Sequence, residues 1–166
     1  LSETIDAALL TGPGTGNAPK GILSQGVSLA EADYANLWAA LAGAAKAIEN
    51  ANVDPASISW LVGPGTAERL RTSFKADSAD AVDGQFIATD PAGLMGYPVV
   101  VSTFCPPQTA VLCAWNDVLL SQWGSADLLI DPYSQAEVGM IRILLYLLVD
   151  VALRHQESLV KLTLSS

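Results

Sequence analysis

The chain has 166 residues, 51% hydrophobic and only 15% charged, with 17 acidic against 8 basic residues for a formal net charge of −9. That length fits one compact domain, or two small lobes sharing a core, with enough Leu, Val and Ile to fill it. The acidic balance excludes a phosphate-gripping nucleic-acid binder, which needs clustered Lys and Arg, and the greasy, weakly charged composition points to surfaces that a partner covers.

The start, Leu1-Ser2-Glu3-Thr4-Ile5-Asp6, is polar and acidic, unlike a secretory signal, and predicts a helix over residues 2–10. A chain that opens inside a helix and without Met is expected to be a fragment or processed form of something longer. Residues 11–17, rich in Gly with Pro13, form a loop. It is the nearest approach to a phosphate cradle, yet Pro19-Lys20-Gly21 stands where Gly-Lys-Ser/Thr is needed, and Pro19 lacks an amide hydrogen. A structural turn is expected at residues 12–21. Gly63-Pro64-Gly65-Thr66 echoes it in a different context, so no repeat is read.

Ser28 and Glu31 have the spacing of a capping box and predict a helix start there. Tyr34, Leu37, Trp38, Leu41, Ala45 and Ile48 then form one buried stripe, while Ala39, Ala40, Gly43 and Ala44 let another element approach closely. Residues 50–55 end this helix. Ile58–Val62 reads as a core strand, and Pro64 with Gly65 turns into a helix over 67–73. Asp77, Asp80 and Asp83 lie at spacing three, not the alternate spacing of an EF-hand, and predict a solvated acidic loop over 75–85.

Short strands are expected at 97–102, 109–115 and 127–130, with a helical turn within 116–123. From Met140, Ile141, Ile143, Leu145, Leu147, Val149, Val151 and Leu153 alternate with a mixed set, predicting a long strand with one fully buried side, with a helix as the competing reading of so apolar a run. A turn at 155–157 and a returning strand at 159–164 close the chain.

Chemistry is sparse. His155 is the single histidine, which excludes paired-histidine metal sites, and no Gly-x-Ser-x-Gly elbow presents a nucleophile. Cys105 and Cys113 have no metal spacing and read as small buried hydrophobes in neighbouring strands; a disulfide needs the intervening turn to bring them opposite. Trp38, Trp60, Trp115 and Trp123 read as packing anchors. No catalytic, cofactor-binding or metal-ligating residue is assigned, and no cofactor is expected. The apolar run 140–153 contains Arg142 and Asp150 and is too short to span a bilayer.

Four stretches in order carry a family resemblance. Ile5-Asp6-Ala7-Ala8-Leu9-Leu10 with Gly12-Pro13-Gly14-Thr15-Gly16 and Pro19-Lys20-Gly21-Ile22-Leu23 is the first. Trp60-Leu61-Val62-Gly63-Pro64 and its helix follow, then Gly96-Tyr97-Pro98-Val99-Val100, then Asp150-Val151-Ala152-Leu153-Arg154 with residues 159–164. Together they resemble the C-terminal portion of tailed-bacteriophage major capsid proteins of the Hong Kong 97 type. The resemblance implies an α+β fold with an axial domain over 24–121 and a partial peripheral domain from 1–23 and 122–166. The family's N-terminal arm, extended loop and most of its long spine helix would precede Leu1. The acidic loop 75–85 would lie toward the centre of a pentamer or hexamer.

The implied function is a structural subunit of an icosahedral phage or prophage capsid, not an enzyme. The full-length protein would partner with itself in pentamers and hexamers and with other capsid subunits, without sequence-specific nucleic acid or a membrane. It would be located in the virion, and in the host cytoplasm during assembly. Gly139 or a neighbour falls where some members carry a crosslinking asparagine, so no isopeptide crosslink is expected, and this fragment alone is expected as a monomer or small oligomer. The alternatives are an encapsulin-type nanocompartment shell, an enzyme domain holding a phosphorylated ligand at residues 12–21, and an interaction module unrelated to shells.

Overall fold

The computed structural model describes residues 2–16, 18–74, 87, 93–134 and 136–165. In chain order come helix α1 (Ser2–Thr11), strand β1 (Val27–Ala30), helix α2 (Leu37–Asn50), strand β2 (Ile58–Val62) and helix α3 (Pro64–Thr72). Strands β3 (Val99–Val101), β4 (Thr109–Ala114), β5 (Val118–Asp131), β6 (Arg142–Leu153) and β7 (Leu159–Thr163) follow. A mixed sheet runs β1-β7-β4-β2-β3, with β1–β7 and β2–β3 parallel and β4 antiparallel to both its neighbours. β5 and β6 pair only with each other, as an antiparallel ribbon.

The inner strands β2, β4 and β7 bury both faces of the sheet, and their two-residue period sorts the core. Trp60, Val62, Leu112 and Leu162 meet Leu41, Ala44 and Ile48 of α2 on one side. Leu61, Val111, Cys113 and Leu159 face the other way, where Ile22, Leu23 and Val151 join them and Leu9 and Leu10 of α1 pack alongside. Trp60 is fully buried, and its indole N–H donates to the Leu94 carbonyl at 2.9 Å. The closing strand β7 lies between β1 and β4, so residues 159–163 belong to this sheet.

Several expectations need correction. Ser28 and Glu31 do not cap a helix: Ser28 is in β1, and α2 begins at Leu37, where the Asn36 side chain accepts from the Ala39 amide at 2.8 Å. β1's pairing with β7 takes the segment first, and Glu31 is drawn to Arg69 instead. Tyr34 therefore precedes the helix; its ring lies against Gly43, where a Cβ would come within 2.5 Å of it. The small residues of α2 do admit a close neighbour, as predicted. Residues 116–123 are not a helical turn. A 3₁₀ turn ends at Asp117, and β5 then runs as a strand to Asp131 with one register shift, absorbing the short strand expected at 127–130. Leu119, Leu120 and Trp123 suit either state, and pairing with β6 decides. The acidic loop at 75–85 lies outside the described residues.

Candidate assembly surfaces

β5 and β6 are 14 and 12 residues long, a reach of about 40 Å at roughly 3.3 Å per residue. Cross-strand partners share a face, and the register defines two. One carries Val118–Leu153, Leu120–Val151, Gln122–Val149, Leu128–Leu145 and Ile130–Ile143, apolar except for Gln122. The other mixes Ser121–Asp150, Asp127–Tyr146 and Asp131–Arg142 with Trp123–Leu148 and Leu129–Leu144.

The predicted alternation is present, but the fully buried side is not. Burial holds only at the base, where Val118, Val151 and Leu153 join the lower core cluster. Val151 is 5% exposed, whereas Ile143, on the same face near the tip, is 64% exposed. Alternation reports which side is apolar, not whether the same chain covers it. Trp123, expected as a packing anchor, is 82% exposed. A lone two-stranded hairpin is marginal in water, and contiguous apolar surface of this kind marks contact with another molecule.

The base is held by polar contacts as well. The Gln25 side-chain amide donates to the carbonyls of Lys20 (2.7 Å) and Val151 (3.0 Å), and its oxygen accepts from the Leu153 amide at 3.2 Å. It thereby pairs with β6 as a short strand would. The Arg154 amide donates to the Asp117 carbonyl at 2.9 Å, tying the strand ends together. At the tip, Asp131 accepts from the amides of Tyr133 and Ser134 and from the Ser134 hydroxyl. These bonds, the hydroxyl foremost, hold its carboxyl below the usual range. Between α1, β3 and the ribbon base lies an open apolar groove of about 500 Å³, lined by Leu9, Leu10, Val100, Phe104 and Leu120.

On the opposite side of the sheet, Glu31 is 8% exposed and forms a two-point pair with Arg69: Nη1 to Oε2 at 2.9 Å and Nη2 to Oε1 at 2.8 Å. Ser165 donates its amide to Glu31 Oε2 at 2.8 Å, and its carbonyl accepts from Arg69 at 2.6 Å. The group lines a cleft of about 430 Å³ with Asn36 and Phe74. Its polar atoms are spent on one another, fastening the end of the chain to β1 and α3.

Several amides of the glycine loop are bonded to carbonyls of the chain itself. Gly12, Gly14 and Gly21 donate to the carbonyls of Ala8, Pro19 and Gly12 at 2.8, 3.2 and 2.9 Å. A Cβ at Gly12 would overlap the carbonyl oxygens of Pro19 and Ala8, so this glycine serves close backbone packing. His155 lies in a turn, its carbonyl accepting from the Ser158 amide and hydroxyl at 3.2 and 2.6 Å. Cys113 is in β4, but Cys105 sits in the loop before that strand; both thiols are free and buried. Burial pushes them up to about 11 for Cys105 and about 12 for Cys113. Among the described residues, no group of three or more His, Cys, Asp or Glu could hold a metal ion, and no helix is long and apolar enough to cross a membrane.

Sequence reasoning missed Gln25, the Glu31–Arg69 pair and the exposure of Trp123. Only Asn36, a cap-type residue just before an apolar periodic run, carried a local signal that the better helix start had been overlooked.

No curated protein matches the chain. Among solved structures, the capsid of an empty GTA particle is similar at 21% identity and a TM-score of 0.71, over 99% of this chain and 62% of that one. Mycobacterium phage Che8 gives 18% identity and a TM-score of 0.60, over 85% of this chain and 54% of that one. A virus-like particle from Pyrococcus furiosus gives 13% and 0.58, over 93% and 61%. The chain thus spans about three fifths of the solved chains it resembles most fully, and at these identities the likeness is one of fold. The Phage capsid family model matches residues 1–164. The chain belongs to the Phage capsid family, and its α+β architecture is the Hong Kong 97-type capsid fold.

Proposed function

We propose that this chain acts in a structural subunit of an icosahedral phage or prophage shell. It acts through lateral contacts with copies of itself in pentamers and hexamers, and not as an enzyme. The exposed apolar face of the ribbon carries this reading. Leu128, Ile130, Ile143 and Leu145 form a hydrophobic stripe that no part of the described chain covers. Repeated modest contacts of this kind multiply when a shell closes. The bonded amides of Gly12, Gly14 and Gly21 count against a phosphorylated ligand, and the family match favours a phage shell over an encapsulin-type one.

The division into an axial unit (24–121) and a peripheral unit (1–23 and 122–166) is part of the proposal, with residues 159–163 assigned to the axial sheet through their pairing with β1 and β4. The virion, reached by way of the host cytoplasm, is the matching location. Negative-stain imaging of the product of the whole reading frame tests the proposal: closed shells are expected, and their loss in a Leu128→Asp, Ile143→Asp variant with unchanged circular dichroism. Unassembled subunits from the unsubstituted protein would overturn it.

A further inference from the structure

The ribbon changes character partway along. Up to Trp123–Leu148 the pairing is regular and the base is clipped to the core by Gln25; from Asp127–Tyr146 outward it is regular again. Between them three β5 residues, Gly124, Ser125 and Ala126, stand opposite Leu147 alone. Gly124 has a φ of +76°, and nothing lies within 4 Å of the place a Cβ would occupy. The Gln122 side-chain amide donates to the Gly124 carbonyl at 3.2 Å, a bond within the same strand.

The size of the insertion matters. One extra residue would turn every side chain beyond it to the other face, because strands alternate with period two. Two extra residues keep the apolar face of the tip (Leu128, Ile130) on the same side as that of the base (Val118, Leu120) while breaking the ladder between them. Extra residues in one strand bend it and sharpen its twist.

We infer that residues 124–126 are a hinge, by which the tip of the ribbon changes its inclination while its apolar face stays directed to the same side. The tip extends about five residues past the hinge, so a bend of about 30° displaces it by roughly 8 Å. Its use, which rests on the shell reading above, is to let one sequence meet neighbours at the differing angles of pentamers and hexamers.

Pulsed electron spin resonance on the chain tests the hinge apart from any shell. One nitroxide goes on Lys46→Cys in α2, a second on Tyr133→Cys at the tip or Ala152→Cys at the base. The native thiols are buried and stay unlabelled. The tip distance should be about twice as broadly distributed as the base distance, and deletion of Ser125 and Ala126 should narrow it to the base width. Gly124→Ala, which opposes the positive φ, should shift the tip distance and leave the base distance in place, confirming that the variant folds. A tip distribution as narrow as the base one overturns the hinge, and so does a broad one that neither change alters. Neither result bears on whether the whole reading frame builds shells.

Discussion

β4 and β6 are both dominated by apolar residues and meet opposite fates. Every residue of β4 is buried, with β2 and β7 on its edges and apolar side chains above and below. β6 is richer in Leu and Ile, yet Val151 is its one buried residue. The difference is topological. β4 sits third of five strands in a sheet covered on both faces, whereas β6 has a single partner and meets the rest of the chain only at its base. Hydrophobic residues in the first are used to fold the chain; in the second most of them stay exposed. Substitutions in the two regions should therefore separate stability from assembly.

The largest contrast sets Trp60, in β2 at the heart of the sheet, against Ile143 near the ribbon tip. Trp60→Ala should lower unfolding free energy by about 3–5 kcal/mol through the cavity and the stranded Leu94 carbonyl. Ile143→Ala, an equally apolar site, should change it by less than about 0.5 kcal/mol, since no packing is lost in the isolated chain. Urea denaturation of both variants measures this. Equal losses would mean that the ribbon tip is packed within the chain.

Next in size is the clasp at the other end of the sheet. Glu31→Ala leaves Arg69 and the Ser165 amide without their acceptor and should cost about 2 kcal/mol, kept below the value of a deeply buried pair because Arg69 is partly solvated. Arg69→Lys should recover part of the loss but not the two-point geometry. Proteolysis from the C-terminus should trim the Glu31→Ala chain faster than the parent.

What the residues reveal in advance divides along the same line. Ile58–Val62 and the strand at 109–115 were legible because burial on both faces leaves a short run, apolar but for Ser59 and Thr109, between turn residues. The apolar side of β6 was equally legible, but its exposure was not, because alternation records chemistry and not which molecule supplies the cover. The capping pair at Ser28 and Glu31 misled for a related reason: a local pattern was overruled by long-range pairing, of β1 with β7 and of Glu31 with Arg69. Nor does any local pattern announce Gln25, whose contacts on β6 lie more than a hundred residues away. The architecture as a whole was readable only from the order of its weak motifs.

Gln25 tests the border between the two regions. Gln25→Ala removes the acceptor for the Leu153 amide and a donor to the Val151 carbonyl, and should cost about 1–2 kcal/mol. Hydrogen exchange should quicken at Leu153 and leave β4 unchanged. If both respond equally, base and sheet unfold as one unit and the clip has no local role.

The smallest expected effect is a pH dependence confined to the sheet side of the border. Burial raises Cys105 and Cys113 from 9.0 to about 11 and about 12. Above pH 9 the unfolded chain gives up these protons while the folded chain holds them, so stability from the buried thiols is complete below that point and falls as pH rises toward 12. At pH 10 the loss should be about 1 kcal/mol for each thiol, since both folded values lie above that pH. Comparing urea midpoints at pH 8 and 10 for the parent and a Cys105→Ala, Cys113→Ala variant isolates the thiols from lysines and tyrosines that titrate in the same range. A drop of equal size in both would show that the thiols are not sealed in the core, and would weaken the contrast between a closed sheet and an open ribbon.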